Sequence, residues 1–212
     1  MAIICPTVTA TEAHLYRTQL ERVQVFAKRI HIDLADGVLA PKLLDVSKLW
    51  WPQNKIIDVH LMYQRPLYYL EALIKLKPNL VIVHAEADGD FRQVVSTLKA
   101  ANVKIGVALL ESSPVEAILP EIGYIDHILV FSGNLGHFGG VANLDLLNKV
   151  QKIKSLDKVI EIGWDGGINE DNVSLLAKAG VNVLDVGGFI QRAEDPVDAY
   201  AKLNLALMDG SK

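Results

Sequence analysis

Apolar residues gather in short bursts along this chain. They fall at residues 3–6, 29–33, 55–61, 80–84, 103–109, 127–131, 159–163 and 181–186. Each is rich in Val and Ile and nearly continuous rather than alternating, as suits strands buried on both faces. Between them run segments with helical spacing. Leu15, Leu20, Val23 and Phe26 make one stripe, and Leu67, Leu70, Leu73 and Ile74 another after Pro66. Phe91, Val94, Val95 and Leu98 form a third, and Leu144, Leu146, Leu147, Val150 and Ile153 a fourth. Val173, Leu175, Leu176 and Ala179 precede Gly180, a residue suited to close a helix.

The bursts recur every 22 to 32 residues. Eight strand–helix units at that period predict a (β/α)8 TIM barrel, a fold of about 250 residues with a lower end near 200. An open doubly wound sheet has the same alternation, but eight strands favour the barrel. No linker or low-complexity stretch breaks the pattern, so residues 1–212 are expected to form one barrel domain.

Composition narrows the partners. The 21 basic and 25 acidic residues give a net charge of −4, with no basic stripe, so no nucleic acid partner is expected. A mean hydropathy of +0.24 is high. No apolar run approaches a membrane span, so the excess belongs in buried strands and no membrane partner is expected. The start has no positively charged leader pattern, and the single Cys5 excludes a disulfide framework. Both suit a cytoplasmic protein. Cys5 reads as a small buried hydrophobe. Trp50 and Trp51 read either as an exposed aromatic patch or as packing on the barrel exterior.

In such a barrel the chemistry belongs at the C-terminal ends of the strands. The polar residues there are Thr7, His31 with Asp33, His60, His84, Ser132, Asp165 and Gly187-Gly188. His31 and Asp33, two apart on a strand, share a face. A metal would satisfy both, and so would a hydrogen bond between them. His60 alone reads as a core histidine or a ligand. Gly166 and Gly167 after Asp165 permit unusual backbone angles or close ligand approach, or simply make a turn. Taken together, two His and two Asp suit one divalent ion such as zinc, manganese or iron(II), with cobalt a further candidate. Gly136, Phe138, Gly139 and Gly140, with Gly187 and Gly188, add glycine pairs whose bare N–H groups suit a phosphate.

These motifs resemble those of ribulose-phosphate 3-epimerases over essentially the whole chain. His31-Ile-Asp-Leu-Ala-Asp-Gly37 is similar to the family's His-x-Asp-x-Met-Asp-Gly, and Asp58-Val-His-Leu-Met62 to Asp-x-His-Leu-Met. Val83-His-Ala-Glu-Ala87 resembles Val-His-x-Glu-Ala, and Asn134-Leu-Gly-His-Phe-Gly-Gly140 resembles Asn-Pro-Gly-Phe-Gly-Gly. Asp165-Gly-Gly-Ile-Asn169 matches outright, and Cys5-Pro6-Thr7 stands for Ala-Pro-Ser.

The resemblance implies a ribulose-phosphate-binding barrel that interconverts ribulose 5-phosphate and xylulose 5-phosphate. It implies one divalent metal on His31, Asp33, His60 and Asp165, with Asp33 and Asp165 also serving as the acid/base pair on opposite faces of the substrate. A metal on the substrate oxygens would stabilise the enediolate. Thr7, Met62, Phe131, the glycines of the 136–140 loop with Phe138, Gly166-Gly167 and Gly187-Gly188 would contact a phosphorylated ketose. It also implies a homo-oligomer. Departures cluster at the rim. Ala35 and Phe131 stand for methionines, Leu135 for Pro and Val141 for Gln, and His137 is an extra residue. Phe131 is expected to fill the volume that Ala35 vacates. The drift leaves open another ketose phosphate, such as a hexulose 6-phosphate, or a non-catalytic sugar-phosphate-binding barrel. Orotidine-phosphate decarboxylases and hexulose-phosphate synthases need Asp-x-Lys-x-x-Asp, and Ala35 stands at the Lys position.

Overall fold

A computed structural model describes residues 2–156 and 159–209. Eight parallel strands pair in chain order and close on themselves, β8 joining β1. They are β1 (Ile3–Thr9), β2 (Arg29–Ala35), β3 (Ile56–Met62), β4 (Leu80–His84), β5 (Lys104–Leu109), β6 (His127–Phe131), β7 (Glu161–Asp165) and β8 (Val183–Val186). The expected (β/α)8 barrel is the fold. Strands β1 and β2 run past their apolar bursts to Thr9 and Ala35, and β7 starts two residues late, at Glu161. In β1 the pairing continues past the burst because the inward-facing residues there, Thr7 and Thr9, are polar.

The helices are α1 (Ala13–Gln24), α2 (Leu67–Lys75), α3 (Phe91–Ala100), α4 (Leu147–Lys154), α5 (Val173–Ala179), α6 (Gly188–Gln191) and α7 (Pro196–Asp209). Units two and five carry only 3-10 turns, Val46–Lys48 and Val115–Tyr124. In the second of these Pro120 lacks the N–H that an α-helix would need. Three stripe residues face out instead of in: Leu15, Leu144 and Leu175 are exposed. In α1, Tyr16 takes the inward place beside Leu20 and Val23. Trp51 is buried in the outer core, whereas Trp50 is 42% exposed. Trp50 stands edge-on to Tyr16, whose hydroxyl donates to the Trp50 carbonyl. None of the helices in the described residues is long and apolar enough to cross a membrane.

Most of the core lies outside the barrel. Outward residues such as Ile30, Ile32, Leu34, Val59 and Leu61 pack beneath the inward faces of the helices. The barrel interior is different. A small apolar plug of Leu80, Ile82, Ala108 and Leu129 sits within it. Below the plug, Arg29 pairs with Asp58 (Nε to Oδ2, 2.5 Å) and with Glu161 through two nitrogens, while His127 Nδ1 lies 2.9 Å from Glu161. Cys5 is fully buried, level with Asp185 in the β1–β8 register, and burial pushes its thiol up. It therefore faces polar neighbours rather than the hydrophobic core. Toward the C-terminal mouth, Thr9 is level with Asp33, Asp33 with His60, and Phe131 with Asp165.

Candidate active site

At the mouth, β2 contributes His31 and Asp33, β3 contributes His60 and β7 contributes Asp165. One potential ligand atom from each lies within 4.8 Å of all the others. Asp33 Oδ1 is the hub, 3.2 Å from His31 Nε2 and 3.1 Å from His60 Nδ1. His60 Nδ1 is also 3.9 Å from Asp165 Oδ2. Thr9 Oγ1 donates to Asp33 Oδ2 at 2.6 Å, leaving Oδ1 for the centre. His31 Nδ1 is 3.3 Å from Asp185 Oδ1, an ion-pair distance, but the direction is off a hydrogen bond and both Asp185 oxygens lack one.

Burial alone would raise the Asp33 carboxyl, yet the imidazoles of His31 and His60 at hydrogen-bond distance hold it well below the usual range. Burial, and then the charge of Asp33, push Asp165 well above it. Burial brings His60 down to about 4. In His31 burial opposes the charged form, but Asp185 and Asp33 outweigh it and raise the group. Among the described residues no Lys or Arg pairs with Asp33 or Asp165. Two buried carboxylates and two imidazoles converge without a cationic side chain, and such a donor set fits one divalent cation.

Above the cluster opens a cavity of about 300 Å³. Thr7, Met62, Phe131, Gly136, Phe138, Gly139, Gly140, Gly166, Gly167, Gly187 and Gly188 all line it, together with Asp33 and Asp165. His31 and His60 lie beneath, fully buried. The β7 glycines also meet a backbone requirement. Gly166 and Gly167 have φ of +114° and +69°, and a Cβ there would meet Ser132 O at 2.2 Å and Ala142 N at 2.1 Å. Ser132 does not line the cavity; its hydroxyl accepts from Asn143 N and pins the 133–142 loop.

The expected exchange of volume between Ala35 and Phe131 is not what the packing shows. Ala35 packs with Ala40, Leu43 and Met62, and Leu135 closes over them. Phe131 stands beside the imidazoles of His60 and His84, with ring centroids 6.0 and 6.5 Å away. The substitution of Leu for Pro at 135, and not that of Phe at 131, takes up the space.

Thr9, Asp185 and Arg192 also line the cavity, and sequence reasoning missed them. Thr9 had a signal, two residues beyond Thr7 on the same strand face. Asp185 had one too, as the single charge within Val183-Leu-Asp-Val186. Arg192 had none. Its Nη2 donates to Phe138 O at 3.0 Å, and its guanidinium lies against Gly139.

A closed parallel barrel with a His/Asp centre at its C-terminal mouth defines a TIM-barrel enzyme. The Ribulose-phosphate 3 epimerase family model matches residues 3–191, and the chain belongs to that family, whose members are isomerases acting on carbohydrates. The ribulose-phosphate 3-epimerase of Bacillus subtilis (strain 168) is 31% identical over 186 residues, covering 82% of this chain and 84% of that one. The Rhodobacter capsulatus enzyme of the same name is 27% identical, covering 87% and 83%. Among solved structures, KGPDC from Streptococcus mutans superposes with a TM-score of 0.75 at 14% identity, over 98% of each chain. The 3-hexulose-6-phosphate synthase of Salmonella typhimurium gives 0.74 at 16%, over 98% and 99%. At such identities these two speak for the fold alone.

Proposed function

We propose that this protein inverts C3 of a ketose phosphate, with D-ribulose 5-phosphate and D-xylulose 5-phosphate as the interconverted pair. The observation that carries the reading is the convergence of Asp33 and Asp165 on one buried cluster at the floor of a glycine-rimmed cavity. His31, Asp33, His60 and Asp165 would hold one divalent cation. When bound, it supplies positive charge beside the substrate oxygens on which negative charge develops.

The chain's own residues do the rest. One of the two carboxylates takes the C3 proton, and the other returns a proton to the opposite face. Both come from strand ends, and Asp33 is held by the Thr9 hydroxyl, as positioned acid–base work requires. Met62 and Phe131 wall the reacting carbons from water. The glycine N–H groups of the rim receive the phosphate, and Arg192, anchored on the Phe138 carbonyl, adds a cation there. The fold likeness to hexulose-phosphate synthase does not carry over that chemistry, since Ala35 replaces the required Lys.

The reading predicts exchange of solvent deuterium into C3 of ribulose 5-phosphate by the metal-loaded protein. Asp165→Asn should slow that exchange at least about 100-fold, the lower end of general acid–base contributions. Metal-loaded protein that exchanges nothing would defeat the proposal and leave the non-catalytic sugar-phosphate-binding barrel. A second substrate, a hexulose 6-phosphate, draws on the drifted rim. It loses ground because Ala35 does not line the cavity. The ratio of kcat/KM on the two sugars decides between them.

A further inference from the structure

His84 and Glu86 lie outside the proposed ligand set, yet they form a hydrogen-bonded chain that ends on it. His84 Nε2 is 2.8 Å from His60 Nε2, and the ring centroids are 4.9 Å apart. The two rings therefore meet end to end, 23° from coplanar, and on the far side His84 Nδ1 is 3.1 Å from Glu86 Oε2. Glu86 is itself anchored, for Oε1 accepts from the Ser113 hydroxyl and from Leu110 N at 3.3 Å. His60 and His84 are wholly or almost wholly buried.

Proton positions follow from the partners. A carboxylate only accepts, so the hydrogen of His84 sits on Nδ1. At 2.8 Å one of the two facing nitrogens must carry a hydrogen. With His60 Nδ1 holding a cation, the hydrogen of His60 sits on Nε2, and His84 Nε2 opposite offers the lone pair. Nδ1 is the atom that faces Asp33 Oδ1 at 3.1 Å and Asp165 Oδ2 at 3.9 Å. A lone pair aimed at two carboxylates is repulsive unless a cation lies between them.

We propose that His84 and Glu86 are positioning residues of the metal centre, fixing the Nε2–H tautomer of His60 so that Nδ1 is its donor atom. Partners of this kind, one step behind a ligating histidine, typically change metal affinity by about 10–100-fold. The proposal rests on the reading of the cluster as a metal site.

The test is zinc affinity by competition with a chromophoric chelator, read together with the visible spectrum of the cobalt-loaded protein. Glu86→Gln and His84→Gln should each weaken zinc binding about 10–100-fold and shift the cobalt bands. Glu86→Asp should recover part of the loss. Histidine 15N spectra of the zinc-loaded wild type should show His60 as the Nε2–H tautomer, a readout that needs no variant to fold. Wild-type affinity and bands in both Gln variants, or an Nδ1–H tautomer of His60 in the zinc-loaded protein, would overturn the relay. Wild-type protein that binds neither zinc nor cobalt would instead overturn the metal reading beneath it.

Discussion

Arg192 is the residue on which the phosphate reading is most exposed to test. It is solvent-accessible, and no acidic side chain pairs with it among the described residues. Its guanidinium donates to the Phe138 carbonyl. A guanidinium held at a glycine rim without a counter-charge suits a phosphate dianion, which takes charge-assisted and often bidentate bonds. Such bonds contribute about 1.5–3 kcal/mol when well formed, and exposure to solvent places Arg192 at the low end. Arg192→Ala should therefore raise KM for the phosphorylated ketose, and the inhibition constant of inorganic phosphate, by about tenfold. The kcat should stay within about a factor of two, because the reacting carbons lie over the carboxylates and not at the rim. Equal KM values for the two proteins would remove Arg192 from the substrate site.

Among the elements, the turn after β7 determines whether the rim assembles. Asp165 ends the strand, and the next two residues pass directly against the 132–142 segment after β6. At Gly167 a side chain would meet both an unfavourable φ and the backbone of Ala142. Gly167→Ala should cost more than the usual conformational penalty of about 1 kcal/mol, because the backbone contact cannot yield as a side chain would. Thermal melts should show a lowered Tm, and substrate binding should fall with it. An unchanged Tm would mean that the two loops are not locked together. Such backbone contacts are what the sequence could not disclose. The motif Asp165-Gly-Gly marked a special turn, but no pattern of residue types says which loop presses on it. The strands themselves were legible because Val and Ile recur at a steady period. Their interior was partly legible too. Along β2 and β3 the order Arg-Ile-His-Ile-Asp-Leu and Ile-Asp-Val-His-Leu alternates, apolar outward and polar inward. A continuous-burial reading hides that alternation, since both faces are buried. The same alternation exposed His31, Asp33 and His60 as one inward set. Arg192 escaped notice because its position depends on where α6 ends relative to a loop some fifty residues earlier.

At the scale of the whole barrel, two polar layers flank the apolar plug, and they do different work. The upper one carries the candidate chemistry. The lower one ties strands together: Arg29 of β2 bridges Asp58 of β3 and Glu161 of β7, His127 of β6 reaches Glu161, and Asn79 donates to Asp58. Burial alone would raise the Glu161 carboxyl, but hydrogen bonds from Arg29 and His127 hold it far below the usual carboxylate range. A carboxyl depressed in the folded state stabilises the fold at any pH above its unfolded value, near 4.3. That contribution is lost as pH falls below this value toward the folded one. The barrel should thus lose stability steeply from about pH 5 downward. Glu161→Gln removes the titrating group while keeping much of its shape. The variant should melt a few degrees lower than wild type at pH 7, and the gap should narrow as pH falls below about 4. Melting curves of the two metal-free proteins across that range settle the matter. Metal-free samples matter here because protonation of Asp33 and Asp165 would otherwise release a bound cation in the same window. A gap that stays constant with pH would show that Glu161 contributes by packing and not by charge.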